Sequence, residues 1–235
     1  RRYYESTEWR AVRELVPRNA GRALDIGAGR GISSYALARE GWRVTALEPD
    51  PSAVVGAEAI RALGREAALD IEVVQDWGER LPLADSSFDL VHCRQSLHHA
   101  RDLRKLCAEI GRVLRDGGTF IATREHVISR PADLPKFLES HPLHHLYGGE
   151  NAYMLSQYTS AIESAGIRLS RVLNPLQSEI NLYPETLAGV KRRIAAHLLF
   201  PFPGVIPDFA LGLLGGLIRQ PGRLYSFVGT RGAHG

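Results

Sequence analysis

The feature that most limits what this chain can fold into is an alternation. Five short apolar runs read as strands: RALDIG (22–27), WRVTALEPD (42–50), IEVVQD (71–76), SFDLVHCRQS (87–96) and TFIATREH (119–126). Helix-period segments lie between them: ISSYALAREG stopping at Gly41, PSAVVGAEAIRALGREA starting at Pro51, and RDLRKLCAEIGRVLRDGG closed by Gly117 and Gly118. Near-continuous apolar strands separated by helices call for a parallel sheet covered on both faces. Right-handed crossovers then leave few ways to connect it. Residues 5–16 predict an N-terminal amphipathic helix stopped by Pro17. Beyond residue 126 the alternation loosens. An irregular Pro- and His-rich segment is followed by a helix over 152–166 and a strand over 167–175. Residues 184–219 form an apolar, Pro-broken helical stretch, and RLYSFVGTR (223–231) alternates like an edge strand. At 235 residues and 44% hydrophobic, the chain can bury one sizeable α/β core.

One run breaks its own rule. In ALDIGAGRGISSYALA (23–38) an acid, Asp25, interrupts apolar residues, and Gly27, Gly29 and Gly31 follow at once. Packing alone favours neither acid nor glycine in a strand. Ligands of open parallel sheets bind beyond the carboxyl ends of the strands. There, glycines permit a tight turn and a close approach, and the next helix offers free N–H groups. The spacing G-x-G-x-G differs from the dinucleotide pattern G-x-G-x-x-G. Asp25 would hold the turn's N–H groups or sit near a cationic ligand atom. A pyrophosphate would be repelled; an amino-acid moiety fits better. Glu48, closing the second run, can accept hydrogen bonds from ribose hydroxyls, which does not separate NAD from other adenosine cofactors. Asp76 with Trp77, closing the third, can bind an adenine amino group and cover the ring.

Asp25-Gly27-Gly29-Gly31, Glu48, Asp76, FDLVHCRQSLHH and EIGRVLRDGGTFIATRE together resemble the class I S-adenosylmethionine-dependent methyltransferases, in particular their small-molecule, type 11-like group. The resemblance covers about 20–125 and more loosely 150–174; RDGG stands where the family often has KPGG. It implies a Rossmann-like, doubly wound sheet of seven mostly parallel strands, the last antiparallel, with RLYSFVGTR as that strand. The expected organisation is a single domain over 1–235, its core at about 20–174 and 222–231 and a helical insertion or cap at about 175–221. The resemblance implies S-adenosyl-L-methionine as cofactor and S-adenosyl-L-homocysteine as product. Gly27, Ala28 and Gly29 would approach the methionine part, Glu48 the ribose, Asp76 and Trp77 the adenine, with Asp25 and Pro49 also among the cofactor-binding residues. Backbone around Arg94 and Gln95 would flank the methionine end.

A sulfonium methyl is already electrophilic, so the enzyme needs an in-line nucleophile and, for an oxygen acceptor, a proton acceptor. His98 and His99 follow the fourth strand; Glu125 and His126 close the fifth. His99 and His126 are the catalytic candidates, histidine titrating nearest neutrality. His141, His144 and His145 lack a nearby Cys or dense carboxylate set, so no metal is expected. They read instead as part of a polar lid with YGGENAY (147–153), where Gly148 and Gly149 allow movement and Tyr147, Asn151 and Tyr153 offer hydrogen bonds.

The acceptor is expected to be a small molecule, apolar or aromatic, with O-methylation favoured, in secondary or cell-envelope metabolism. The fourth run does not end in the Asn/Asp-Pro-Pro-Tyr type of motif, and the +3 net charge is scattered, which argues against nucleic acid. The longest uncharged apolar run of the insertion, FALGLLGGLI (209–218), is too short to span a bilayer. The 184–219 stretch suits a cap over the site, a subunit contact or a peripheral membrane contact beside Lys191, Arg192 and Arg193; monomer and homodimer both stay open. Cys93 and Cys107 make neither a disulfide framework nor a zinc site, and a reducing cytoplasm is the expected compartment. Two rivals stand beside this reading: a cofactor-binding module without turnover, and a nicotinamide-dependent oxidoreductase.

Overall fold

A computed structural model describes residues 2–147 and 149–233. The sheet is built from β1 (Arg22–Ile26), β2 (Arg43–Leu47), β3 (Ile71–Val74), β4 (Phe88–Arg94), β5 (Leu114–Ile128), the two-residue β6 (Tyr153–Met154), β7 (Ile167–Leu173) and β8 (Arg223–Arg231). Its order is β3-β2-β1-β4-β5-β8-β7, with β6 paired to the far end of β5. The pairs joining β3 through β5 are parallel, and β8 runs antiparallel between β5 and β7. The helices are α1 (Thr7–Arg13), α2 (Ile32–Arg39), α3 (Ala57–Ala67), α4 (Leu103–Val113), α5 (Leu134–Ser140), α6 (Pro142–Tyr147), α7 (Leu155–Ser164), α8 (Glu179–Leu182), α9 (Leu187–His197) and α10 (Asp208–Leu217).

Alternation along the strands builds a large core on each face of the sheet. Leu24, Val91, Cys93, Phe120 and Phe227 face α4 and α7, meeting Leu106, Ile110, Tyr158 and Ile162. Ala23, Leu90, Ile121 and Val228 face the other way, toward Trp9 and Val12 of α1, Leu37 of α2 and Ile180 of α8. Burying each large apolar side chain of this kind contributes about 1.5–3 kcal/mol before chain entropy is counted. Strand order reverses between β1 and β4, so the crevice for a ligand opens beyond Ile26 and Arg94.

Four expectations need correction. RLYSFVGTR is not an edge strand: β8 has neighbours on both sides, and its five central residues, Tyr225 to Gly229, are buried. Period-2 alternation reports one wet or loosely covered face and does not reveal whether a strand has neighbours. Second, α3 starts at Ala57, not Pro51. Ser52 donates its amide to Asp50 Oδ1 at 2.7 Å and Ala57 donates to the Asp50 carbonyl at 2.7 Å, so 51–56 folds back as a turn. Gly56 permits this, since a Cβ there would stand 2.2 Å from the Asp50 carbonyl oxygen. Third, α4 ends at Val113, and RDGG already belongs to β5 as an offset turn, with Gly117 at φ 73°. Fourth, β5 does not stop at His126. A bulge between Ala122 and Glu125, with Arg124 at φ 61°, re-aims the chain and pairing resumes to Val127.

Candidate active site

The glycine turn after β1 is built as a cradle. Gly27, Gly29 and Gly31 have φ of 64°, 55° and 74°, a region L side chains rarely enter. A Cβ on Gly29 would meet nothing within 4 Å, so its backbone faces open space. A Cβ on Gly27 would lie 2.6 Å from Ser96 Cβ, so this glycine lets the turn touch the segment after β4. Glu48, next after β2, spans the turn. Its Oε2 accepts the Gly29 amide at 2.7 Å and its Oε1 the Asp50 amide at 3.0 Å. Burial raises the Glu48 carboxyl, and these two donors only partly offset that. Each oxygen keeps a lone pair for a further donor.

Asp25 does not hold the turn's N–H groups. It is 1% exposed and opposite His92 in the β1–β4 register. Its Oδ2 accepts from Ser34 Oγ at 2.6 Å, and Oδ1 lies 3.0 Å from His92 Nδ1. The acid therefore ties the first turn of α2 to β4 beneath the cradle. Asp76 accepts the Trp77 amide at 2.7 Å. The Trp77 ring is 57% exposed with the Arg101 guanidinium 5.1 Å from its centroid, leaving most of an aromatic face uncovered. Ala28 donates its amide to Leu47 and Pro49 follows Glu48 at the same rim.

Past β4, Gln95 sits at φ 52° and donates its amide to Thr123 at 2.9 Å. The Arg94 side chain turns away toward α1. Its Nε and Nη2 donate to Glu8 at 2.7 and 3.0 Å, and its guanidinium lies 5.2 Å from the Tyr3 ring centroid. Glu8 is fully buried. An acid on an amphipathic helix reads as solvated, so nothing local in the sequence marks this bidentate pair, which joins residues 86 apart.

Opposite the cradle stands a group of imidazoles held by two carboxylates. Glu125, fully buried, accepts the amides of Ser96, Leu97 and His98 and lies 2.7 Å from His98 Nδ1. It thus closes the 3-10 turn Leu97–His99. His98 is 1% exposed, and its Nε2 faces Glu150 Oε2 at 3.5 Å. His126 Nδ1 donates to the Gly222 carbonyl at 2.9 Å, and His99 Nδ1 lies 3.1 Å from the Gly149 carbonyl. The rings crowd together, His98–His99 tilted at 4.2 Å and His98–His126 edge-on at 4.7 Å between centroids.

Charge follows from this crowding. Burial pulls His98 down, but the hydrogen bond and charge of Glu125, with Glu150 behind, outweigh it and push His98 up to about 9. Burial and then the charge of His98 hold His126 down at about 4. Loss of solvent and the same charge lower His99. Burial would raise Glu150, but His98 and His99 bring it to about 2. At neutral pH the arrangement is one imidazolium between two carboxylates, with a neutral His126 beside it.

Of the expected lid, Tyr153 donates its hydroxyl to the Ala100 carbonyl at 2.6 Å, and Asn151 Oδ1 accepts the Ala152 amide. Gly148 and the Tyr147 side chain lie outside the described residues. His141, His144 and His145 do not converge on one point: His145 Nε2 is 2.6 Å from the Glu139 carbonyl, while His141 Nδ1 faces Glu150 Oε1 at 3.9 Å. The insertion turns its apolar residues outward. Leu199 is 92% exposed, and Phe209, Leu213 and Leu217 form an exposed row on α10, whose other face packs Gly215 against Asn174 and Leu176. Among the described residues no helix is long and apolar enough to cross a membrane.

The residues around the turn fit an adenosine carrying an amino acid. Gly29 opens into space, and Glu48 retains acceptor capacity. Comparison agrees. A family described as "Methyltransferase domain" matches residues 24–122. The uncharacterized methyltransferase YcgJ of Bacillus subtilis is 31% identical over 111 residues, covering 47% of this chain and 43% of that protein. Its crystal structure superposes with a TM-score of 0.66 at 20% identity, over 97% of this chain and 99% of that one. A ubiquinone biosynthesis O-methyltransferase of Methylobacterium nodulans is 30% identical over 196 residues, covering 80% of this chain and 77% of that protein. The geranyl diphosphate C-methyltransferase of Streptomyces coelicolor, in complex with Mg2+, geranyl diphosphate and S-adenosyl-L-homocysteine, shares the fold with a TM-score of 0.67 at 16% identity, over 95% and 77% of the two chains. The chain spans less than half the length of several of the curated relatives it matches.

Proposed function

The chain belongs to the class I S-adenosylmethionine-dependent methyltransferases, and from that premise we propose that it methylates an oxygen of a small apolar or aromatic molecule by direct in-line displacement. S-adenosylmethionine is the cofactor, and it supplies an electrophilic methyl on its sulfonium. The observation that carries the reading is the contact of Gly27 with Ser96, which brings the Glu48-spanned cradle against the imidazole group. One side binds a nucleoside; the other handles a proton.

In this reading Glu48 accepts the two ribose hydroxyls on its remaining lone pairs. The Gly27–Gly29 backbone takes the methionine part, and Asp76 with Trp77 takes the adenine. The Glu8–Arg94 pair positions the backbone at Gln95 beside the methionine end. Asp25 acts through Ser34 and His92, as a positioning residue. His99, held below its usual range, is unprotonated at neutral pH and takes the acceptor's proton. His126 keeps Nε2 as an electron-pair donor, since its Nδ1 is committed to Gly222. An oxygen acceptor needs such groups more than a carbanion or free amine does. The Leu-, Phe- and Ile-rich composition of the insertion suggests an apolar acceptor, while its exposed row on α10 faces outward and suits a partner surface.

Titration calorimetry with S-adenosylhomocysteine, followed by measurement of its formation from S-adenosylmethionine with phenols of increasing apolar length, tests the reading. One site per chain and turnover that rises with apolar length are expected. Displacement of the cofactor by NAD, or product methylated only on nitrogen or carbon, would refute it. Binding without turnover for any acceptor class would favour a module that lacks activity.

A further inference from the structure

The imidazole group contains a convergence that proton transfer alone does not use. His98, His126 and Glu150 come from three separate segments: the turn after β4, the bulged end of β5 and the loop before β6. One ligand atom from each of these residues lies within 4.8 Å of the others. His98 and His126 are buried, and the Glu150 side chain is 6% exposed. Its Oε2 has no hydrogen-bond partner, and the 3.5 Å to His98 Nε2 is long for one. Two ligands at about 2.1 Å from a tetrahedral ion stand about 3.4 Å apart, close to that separation.

The outer partners point the same way. His98 Nδ1 lies against the Glu125 carboxylate at 2.7 Å and His126 Nδ1 against the Gly222 carbonyl at 2.9 Å. Both neighbours only accept, so each Nδ1 carries a proton and each Nε2 is the atom for ligation; the proton that His98 Nε2 holds in the metal-free site leaves when the ion binds. A ligand histidine whose other nitrogen donates to a carboxylate or a backbone carbonyl is the usual second layer of a metal site. His141 Nδ1, buried and unpartnered, faces the second Glu150 oxygen at 3.9 Å.

We infer that His98, His126 and Glu150 bind one divalent first-row transition ion of the zinc type, leaving a coordination position open to the methyl acceptor's oxygen. Two imidazoles and one carboxylate suit such an ion and leave room for a further ligand. The use of the ion rests on the methyltransferase reading. At the open position an acceptor hydroxyl gives its proton to His99 or solvent and keeps its electron pair. That pair takes the methyl carbon, and the carbon–sulfur pair returns to sulfur as the thioether.

Cobalt(II) added to chelator-treated protein tests the site through its visible absorption. Saturable uptake of one ion per chain, competed by zinc, is expected. His126→Ala and Glu150→Gln should each weaken it more than about a hundredfold, beyond the 10–100-fold lost with an outer partner alone. His197→Ala, on the exposed end of α9, should leave it unchanged. Glu150 lies in a loop, so Glu150→Gln carries the test should His126→Ala fail to fold. No saturable uptake, or uptake equal in wild type and Glu150→Gln, overturns the inference. S-adenosylhomocysteine titrated into the same samples separates the two readings: cofactor binding without cobalt uptake removes the metal site alone, and absence of cofactor binding removes the methyltransferase reading.

Discussion

The two sides of the crevice are made differently. The side proposed for the cofactor is backbone and near neighbours: three left-handed glycines and a carboxylate 19 residues along that accepts one of their amides. The side proposed for the acceptor is side chains from distant places. Glu125 reaches back 27 residues to His98, His126 reaches 96 residues forward to Gly222, and Glu8 meets Arg94 across 86 residues. The first needs only one strand–turn–helix–strand unit to exist. The second exists only once β4, β5 and β8 have closed against one another. A binding surface made of backbone tolerates change in its side chains; a constellation made of buried charges does not.

The sharpest way to break that contrast is Glu125→Gln. It removes the charge partner of buried His98 and should cost about 3–5 kcal/mol of folding stability in urea titrations. A loss under about 1 kcal/mol would mean the acceptor side is not held by its charges. Glu48→Ala should weaken S-adenosylhomocysteine binding by about 1–3 kcal/mol while acceptor-side stability is kept. Unchanged affinity removes Glu48 from the ribose. Trp77→Ala should lower the same affinity by about 0.5–1.5 kcal/mol, with the unfolding midpoint where it was, because the ring is mostly exposed. A large loss of stability would make Trp77 a core residue instead. The smallest effect belongs to the insertion: Leu213→Ser with Leu217→Ser should stay within about 0.5 kcal/mol per site. A cooperative loss beyond that would show that the exposed row is buried in solution against something else.

How legible each part was follows its range along the chain. The glycine turn, Glu48 and the Asp76–Trp77 pair stood in the sequence in order, since each lies within a residue or two of a strand end and strands were readable from apolar runs. Asp25 stands out in the sequence as an acid among apolar residues, yet its partner His92 lies 67 residues away in the neighbouring strand. The turn over 51–56 is not legible in the sequence because Pro51 starts helices and turns equally well. Glu8 and Glu150 carried no sequence signal, looking like any acid on a helix face or in a loop.

Hydrophobic periodicity and turn chemistry alone determined that this chain alternates strand and helix, places a glycine turn after its first strand and sets an acid after its second. Those are local properties, decided by sterics and apolar spacing over a few residues. Only the tertiary structure decided that β8 slides between β5 and β7, that the bulge at Arg124 aims Glu125 at the turn beyond β4, and that His98, His126 and Glu150 converge. Neighbours in a sheet are chosen by the summed burial of both its faces, and no segment carries that sum within itself.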